Sequence, residues 1–287
     1  MTNQVTVIIN DEGGESLALE KARNISASLM ANVEVVRFIP KTGNEADRQS
    51  ATQSTSELIN DIFDEPEDVA SQVVPSDHVA KWMAGHCSNG DDNLVVVTGH
   101  RDESLFHTPT DWDLIRQLRC PLLIGCEKKW RSKRNVLIAL DLSSNARSHR
   151  EMNLLALRWA KQWEDLHDCR LHAMYSISTA TPLLALDIVE PHEYRRTHEP
   201  KAKEKLLALL DESGMPDVIP HIALGAPEKT IPSMANKIKA DLVIIGSLGH
   251  EGIQRLLHHN TAEKVLHHLR TDMLVVKPTG ESRPGLR

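Results

Sequence analysis

Short, almost wholly apolar runs recur along this chain in two matching series, and that repetition restricts the fold more than anything else in the sequence. The first series is VTVIIN (5–10), VEVVRFI (33–39), VASQVV (69–74), LVVVTG (94–99) and PLLIG (121–125). The second is VLIALD (136–141), RLHAMYSI (170–177), DVIPHIAL (217–224), LVIIGS (242–247) and MLVVK (273–277). Helical spacing of apolar residues fills the intervals: to about Met30, near Thr55–Phe63, to Cys87 and after Thr108, then through Leu166, near Lys201–Asp211, to Lys239 and after Asn260. A strand apolar on both faces meets no water on either, so helices must cover both sides of a parallel sheet. The chain is therefore expected to be α/β, with two tandem doubly wound five-stranded parallel sheets built by right-handed crossovers.

The halves align best at their ends, where DWDLIRQLRCPLLI lies over AEKVLHHLRTDMLVV with Leu114, Ile115 and Leu118 opposite Val265, Leu266 and Leu269. Domains are expected at 1–127 and 134–280, separated by EKKWRSKRN (127–135), a solvated basic linker. PLLIG and MLVVK end their series, and an apolar edge strand invites pairing. The two halves are expected to satisfy each other as a pseudo-dimer, with doubling to a homodimer left open.

A formal charge of −7 repels phosphate backbones and argues against nucleic acid as a partner. The N-terminus carries no basic segment ahead of its first apolar run, and no window approaches the roughly 18 apolar residues of a membrane span. Residence in the cytoplasm without membrane insertion is the expectation. Cys87, Cys120, Cys126 and Cys169 show no CxxC spacing, and Cys120 and Cys126 bracket a strand that holds them about 20 Å apart. They read as free thiols.

In an open parallel sheet, ligands sit beyond the carboxyl ends of the strands where the order reverses. The candidate strands are VLIALD and LVIIGS. After the second come Gly246 and Gly249, nine further residues, then His259, Asn260 and Thr261. Asn260 with Glu263 three residues on is an N-cap signature, and the free N–H groups of a helix start suit an anion. The glycines let the loop turn and its backbone approach a ligand. In the first half Gly99 stands alone, Thr108, Pro109 and Asp111 build a helix start that supplies its own acid and lacks a donor, and Asn10 replaces Asp141. That half reads as structural.

GxxG, nine residues and a capped helix, together with LGHEGIQRLLHHNTAEKVLHHLRTDMLVVKP and FHTPTDWDLIRQLRCP, resemble a tandem universal stress protein across nearly the whole chain. The resemblance implies an adenine nucleotide alpha hydrolase-like fold, a stress-response role and ATP or a related nucleotide as ligand. It implies Asp141 for the base and ribose side, and Gly246, Gly249, His259, Asn260 and Thr261 for the phosphates. His259 departs from the family glycine: its N–H remains, while its ring either crowds the phosphate or lends it charge.

The expected function is non-enzymatic nucleotide binding. Two alternatives stand beside it. One is a carrier or sensor of a phosphate-linked apolar ligand, with Pro182 to Val189 lining the tail; the other is weak nucleotide hydrolysis. No GxSxG, Walker or HExxH pattern occurs, and the histidines at 258, 259, 267 and 268 read as a solvated face.

Overall fold

The computed structural model describes residues 3–9, 15–87, 93–99, 110–126, 128–178, 191–247 and 261–278. They form two compact units, Met1–Lys129 and Trp130–Arg287.

In the first unit β1 (Gln4–Ile9), α1 (Glu15–Leu29), β2 (Asn32–Ile39), α2 (Glu45–Ile62), β3 (Val69–Pro75), α3 (Val79–His86), β4 (Asn93–Thr98), α4 (Thr110–Gln117) and β5 (Leu122–Gly125) alternate along the chain. All strand pairs are parallel, in the order β3-β2-β1-β4-β5. Crossovers step one way from β1 to β3 and the other way from β3 to β5, so right-handed connections lay α1 and α2 on one face and α3 and α4 on the other. Val5, Val7, Val35, Val36 and Leu94 to Val97 are buried at the centre, and β-branched side chains suit that two-sided burial.

The second unit repeats the plan with β6 (Arg134–Leu140), α5 (Arg147–Leu166), β7 (Cys169–Ile177), α6 (Pro191–Glu212), β8 (Ile219–Leu224), α7 (Pro227–Lys237), β9 (Leu242–Gly246), α8 (Thr261–His268) and β10 (Asp272–Val276). Its order, β8-β7-β6-β9-β10, is the first unit's order again. Helix α5 packs on β6 and β9, and Met152, Ala156, Leu157, Ala160 and Trp163 form its buried stripe. The apolar spacing one helical turn apart sets that stripe.

Two helices are longer than their apolar spacing predicts. Helix α2 starts at Glu45 because Asn44 and Asp47 form a reciprocal capping box, with bonds of 3.0 and 2.8 Å. Helix α6 begins at Pro191 and continues through Pro200.

Met30 and Lys239 take positive φ, 52° and 54°, just beyond α1 and α7. The following N–H closes back on the helix in both, Ala31 on Ser26 at 3.0 Å and Ala240 on Ala235 at 2.8 Å. Gly214 does the same after α6 with φ 68°, there with the residue the geometry favours. Met30 is 94% exposed and gains nothing from its side chain. Met30→Gly is therefore expected to raise stability by about 1 kcal/mol, read from the urea midpoint at unchanged slope.

Among the described residues the four cysteines are free thiols. Cys87 and Cys120, buried together in the first unit, share a hydrogen bond, and that bond with burial pushes the Cys87 thiol far up from its usual range. Sequence spacing gave no sign of this pair. No described helix is long and apolar enough to cross a membrane.

Candidate functional site

The order of the second unit reverses between β6 and β9, and sheets of this kind take ligands beyond the carboxyl ends of such strands. Asp141 follows β6 directly. Its backbone is clamped from both sides by the Asn153 amide, which accepts from Asp141 N–H at 2.9 Å and donates to its carbonyl at 2.7 Å. Asn153 is buried in the apolar stripe of α5. A buried amide needs partners, and here both of its ends are met by one residue.

The Asp141 carboxylate is 53% exposed. Oδ1 accepts from Ser143 N–H at 2.9 Å and from Ser143 Oγ–H at 2.6 Å, the local closure that favours a turn after a strand. Oδ2 lies 2.9 Å from His149 Nδ1 at ion-pair distance, off the line of a hydrogen bond. Tyr175, on β7 beside Leu140, has its phenol held above the ordinary range by burial first and then by the Asp141 and Tyr194 charges. The strand end thus presents one oriented carboxylate with an imidazole and a phenol around it, a set that accepts from and donates to a polar heterocycle or sugar hydroxyls.

Gly246 is the last residue of β9. A Cβ there would lie 2.3 Å from Met152 Cγ and 2.7 Å from its sulfur, so the glycine makes room for α5 to seat on the sheet. The spacing motif had assigned Gly246 to the ligand; in the described structure its demand for glycine comes from packing. Ser247, buried, donates its N–H to the Val276 carbonyl at 3.0 Å, and its Oγ accepts from buried Lys277 at 3.2 Å.

Thr261 opens α8 exposed, while Ala262 and Glu263 of the same turn are buried. An acid in a first turn offsets the helix dipole. Gly249, His259 and Asn260, the remaining phosphate-side residues, lie outside the described residues, as do Pro182 to Val189. His267 and His268 are exposed.

The corresponding strand ends of the first unit carry other groups. Lys21, buried in α1, donates from Nζ to the Cys126 carbonyl at 2.7 Å, and a Cβ at Gly125 would lie 3.3 Å from that Nζ. Asp111 in the first turn of α4 is buried, its Oδ2 3.6 Å from where a Cβ of Gly99 would be. A cation and a carboxylate of the chain itself thus lie buried near the ends of β4 and β5. Asn10, Thr108 and Pro109 lie outside the described residues.

Asn153, Ser143, His149 and Tyr175 were missed by sequence reading. The one available signal was Asn153, an amide among Met152, Ala156 and Leu157 on an apolar stripe. Asn153→Ala is expected to strip both clamps, cost about 2 kcal/mol in urea unfolding and leave the Asp141 strand end loose, which amide exchange at Asp141 reads directly.

The family model described as the universal stress protein family matches residues 133–277. Universal stress protein E of Escherichia coli K12 is 29% identical over 202 residues, 68% of this chain and 64% of that protein. The Haemophilus influenzae universal stress protein E homolog is 29% identical over 226 residues, with 76% of this chain and 73% of that one covered. Among solved structures, one from Pseudomonas aeruginosa UCBPP-PA14 aligns at TM-score 0.70 and 24% identity, covering 96% and 94% of the two chains. A universal stress protein from Archaeoglobus fulgidus aligns at TM-score 0.67 and 14% identity, covering 96% and 97%. These two likenesses concern the fold, and they extend over both units. With the family model spanning half of its length, the chain belongs to the universal stress protein family.

Proposed function

We propose that this protein is a non-enzymatic, cytoplasmic stress-response module whose second unit binds ATP or a related nucleotide. The observation that carries the reading is the clamped, half-exposed carboxylate of Asp141 at the reversal of the strand order, beside a β9 that ends at Gly246 and is followed in the sequence by Gly249. Asp141 receives the base and ribose side. Gly246, Gly249, His259, Asn260 and Thr261 form the phosphate side, where the N–H groups at the start of α8 face the anion. The first unit is taken to keep the fold without the site, a reading supported by the buried lysine and carboxylate, Lys21 and Asp111, near the ends of its β4 and β5.

The test is direct. Protein purified without added ligand is denatured, and the released small molecules are weighed by mass spectrometry, with Gly249→Val alongside. An adenine nucleotide released by the wild type and lost from the variant supports the proposal. A mass with an acyl chain moves the ligand to the phosphate-linked apolar class. Nothing released, together with no nucleotide binding in equilibrium dialysis, ends the proposal.

A further inference from the structure

The second unit carries another cluster at the opposite end of its sheet, where β6, β7 and β10 begin. Trp130 precedes β6, Arg134 is its first residue, and Trp163 and His167 stand at the end of α5. Trp163 meets Trp130 and His167 edge to face, with centroids 5.4 and 5.0 Å away, and Trp130 and His167 are tilted to each other with centroids 6.1 Å apart. The Arg134 guanidinium lies 4.9 Å from the Trp130 ring centroid. Trp130 donates its indole N–H to Asp272 Oδ2 at 2.6 Å, which fixes that ring.

The other donors have no such partner. Arg134 Nη1, Trp163 Nε1 and His167 Nε2 are buried and make no hydrogen bond to any described residue. Trp163 is 3% exposed. The nearby Asp241 carboxylate is already taken, by Arg131 through two bonds of 2.8 Å and by the Asn135 N–H at 3.0 Å. Burial lowers the Arg134 guanidinium from its usual range, and burial with the Arg134 charge pushes His167 down to about 4. His167 is therefore neutral at physiological pH, and in its Nε2–H tautomer this nitrogen is a donor.

We propose that Arg134, Trp163 and His167 form a binding site for a small oxyanion, independent of the nucleotide crevice. A guanidinium N–H, an indole N–H and an imidazole N–H are all donors, so the matching ligand has acceptors only and carries negative charge. A water fits less well, because it has two acceptor sites for three donors and would leave its own hydrogens facing them. Arg134, Trp130 and His167 are half-buried, which places the cluster near the surface of the unit, while its three orphaned donor atoms are themselves sealed from water.

The full-length protein is titrated with sodium phosphate and, separately, sodium acetate at constant ionic strength in chloride, while NMR follows the tryptophan indole N–H and histidine ring signals. The Trp163 indole N–H and the His167 ring are expected to shift together and saturably. Preference for phosphate assigns a tetrahedral oxyanion, and preference for acetate a planar carboxylate. Arg134→Met is expected to weaken the interaction at least about ten-fold. Trp163→Phe keeps an aromatic ring without the donor, and the same loss is expected from Trp130 fluorescence if Arg134→Met does not fold. Signals that respond to neither anion beyond chloride, with an exchanging water seen beside the Trp163 indole, overturn the proposal. So does wild-type affinity in both variants.

Discussion

Gly246→Val is expected to destabilise the second unit by about 3 kcal/mol. The new Cβ meets Met152 at 2.3 and 2.7 Å, and these are atoms of a buried side chain rather than the free tip of an exposed one. Met152 sits on the stripe by which α5 covers β6 and β9, so relief requires either an unfavourable rotamer or a shift of the helix. Urea unfolding followed by tryptophan fluorescence measures the loss, and amide exchange locates it in β9 and α5. The double variant Gly246→Val/Met152→Ala separates two reasons for a glycine at this place. Recovery of most of the stability assigns the requirement to packing, and a nucleotide site that stays lost in the recovered protein assigns a second requirement to the ligand. A single variant as unstable as the double one would show that Met152 is not the obstacle.

Acidification is expected to produce the second large effect. His172 on β7 and His221 on β8 stack with centroids 5.2 Å apart, and His172 Nδ1 lies 2.9 Å from His221 Nε2. Burial, the His221 ring and Arg170 push His172 down to about 4, and burial with Lys237 lowers His221. His167 falls to about 4 as well. An unfolded histidine titrates near about 6.5, so between there and 4 the unfolded chain binds more protons than the folded one. The stability these groups contribute is complete above the unfolded value and is lost as pH falls through the window.

One pKa unit corresponds to about 1.4 kcal/mol, and water screens the half-buried His167, so a combined loss of about 3 kcal/mol between pH 7 and 4 is expected. A series of urea midpoints across that range measures it. His172→Leu is expected to flatten the acid limb; an unchanged limb would place the acid sensitivity elsewhere.

The strands were legible because most are apolar runs closed by glycine, proline or a polar residue, and the central runs are covered on both faces, whereas β3 and β8 at the edges are only partly buried. The limits of the helices were legible only where apolar spacing marks them. In α2 the first turns from Glu45 carry little apolar character, and a capping box at Asn44 starts the helix instead. In α6 the interior Pro200 argues for a break that the structure does not make. Asp141 was assigned by the family resemblance, as the residue that ends VLIALD. The residues around it were not legible: Asn153 and His149 come from the following helix and Tyr175 from the next strand, and no local spacing encodes such contacts. Gly246 shows the reverse case, a motif residue whose structural reason is a methionine on another element.

The two units also give the molecule a reference copy of itself. Gly99 and Ser247 occupy one position and do one thing, each donating its N–H to the carbonyl closing the neighbouring strand, that of Gly125 at 2.8 Å or Val276 at 3.0 Å. What such a pair shares is scaffold, whatever the side chains. Lys21 stands twelve residues beyond Ile9, and Met152 stands twelve beyond Leu140. At that shared position one copy has a charge tied to its own backbone and the other a thioether packed beneath a glycine. Both copies are made in the same amount, in the same compartment and for the same lifetime, so a difference between them cannot come from any of these. Subtracting the first unit from the second therefore separates what the fold demands of both from what is particular to one.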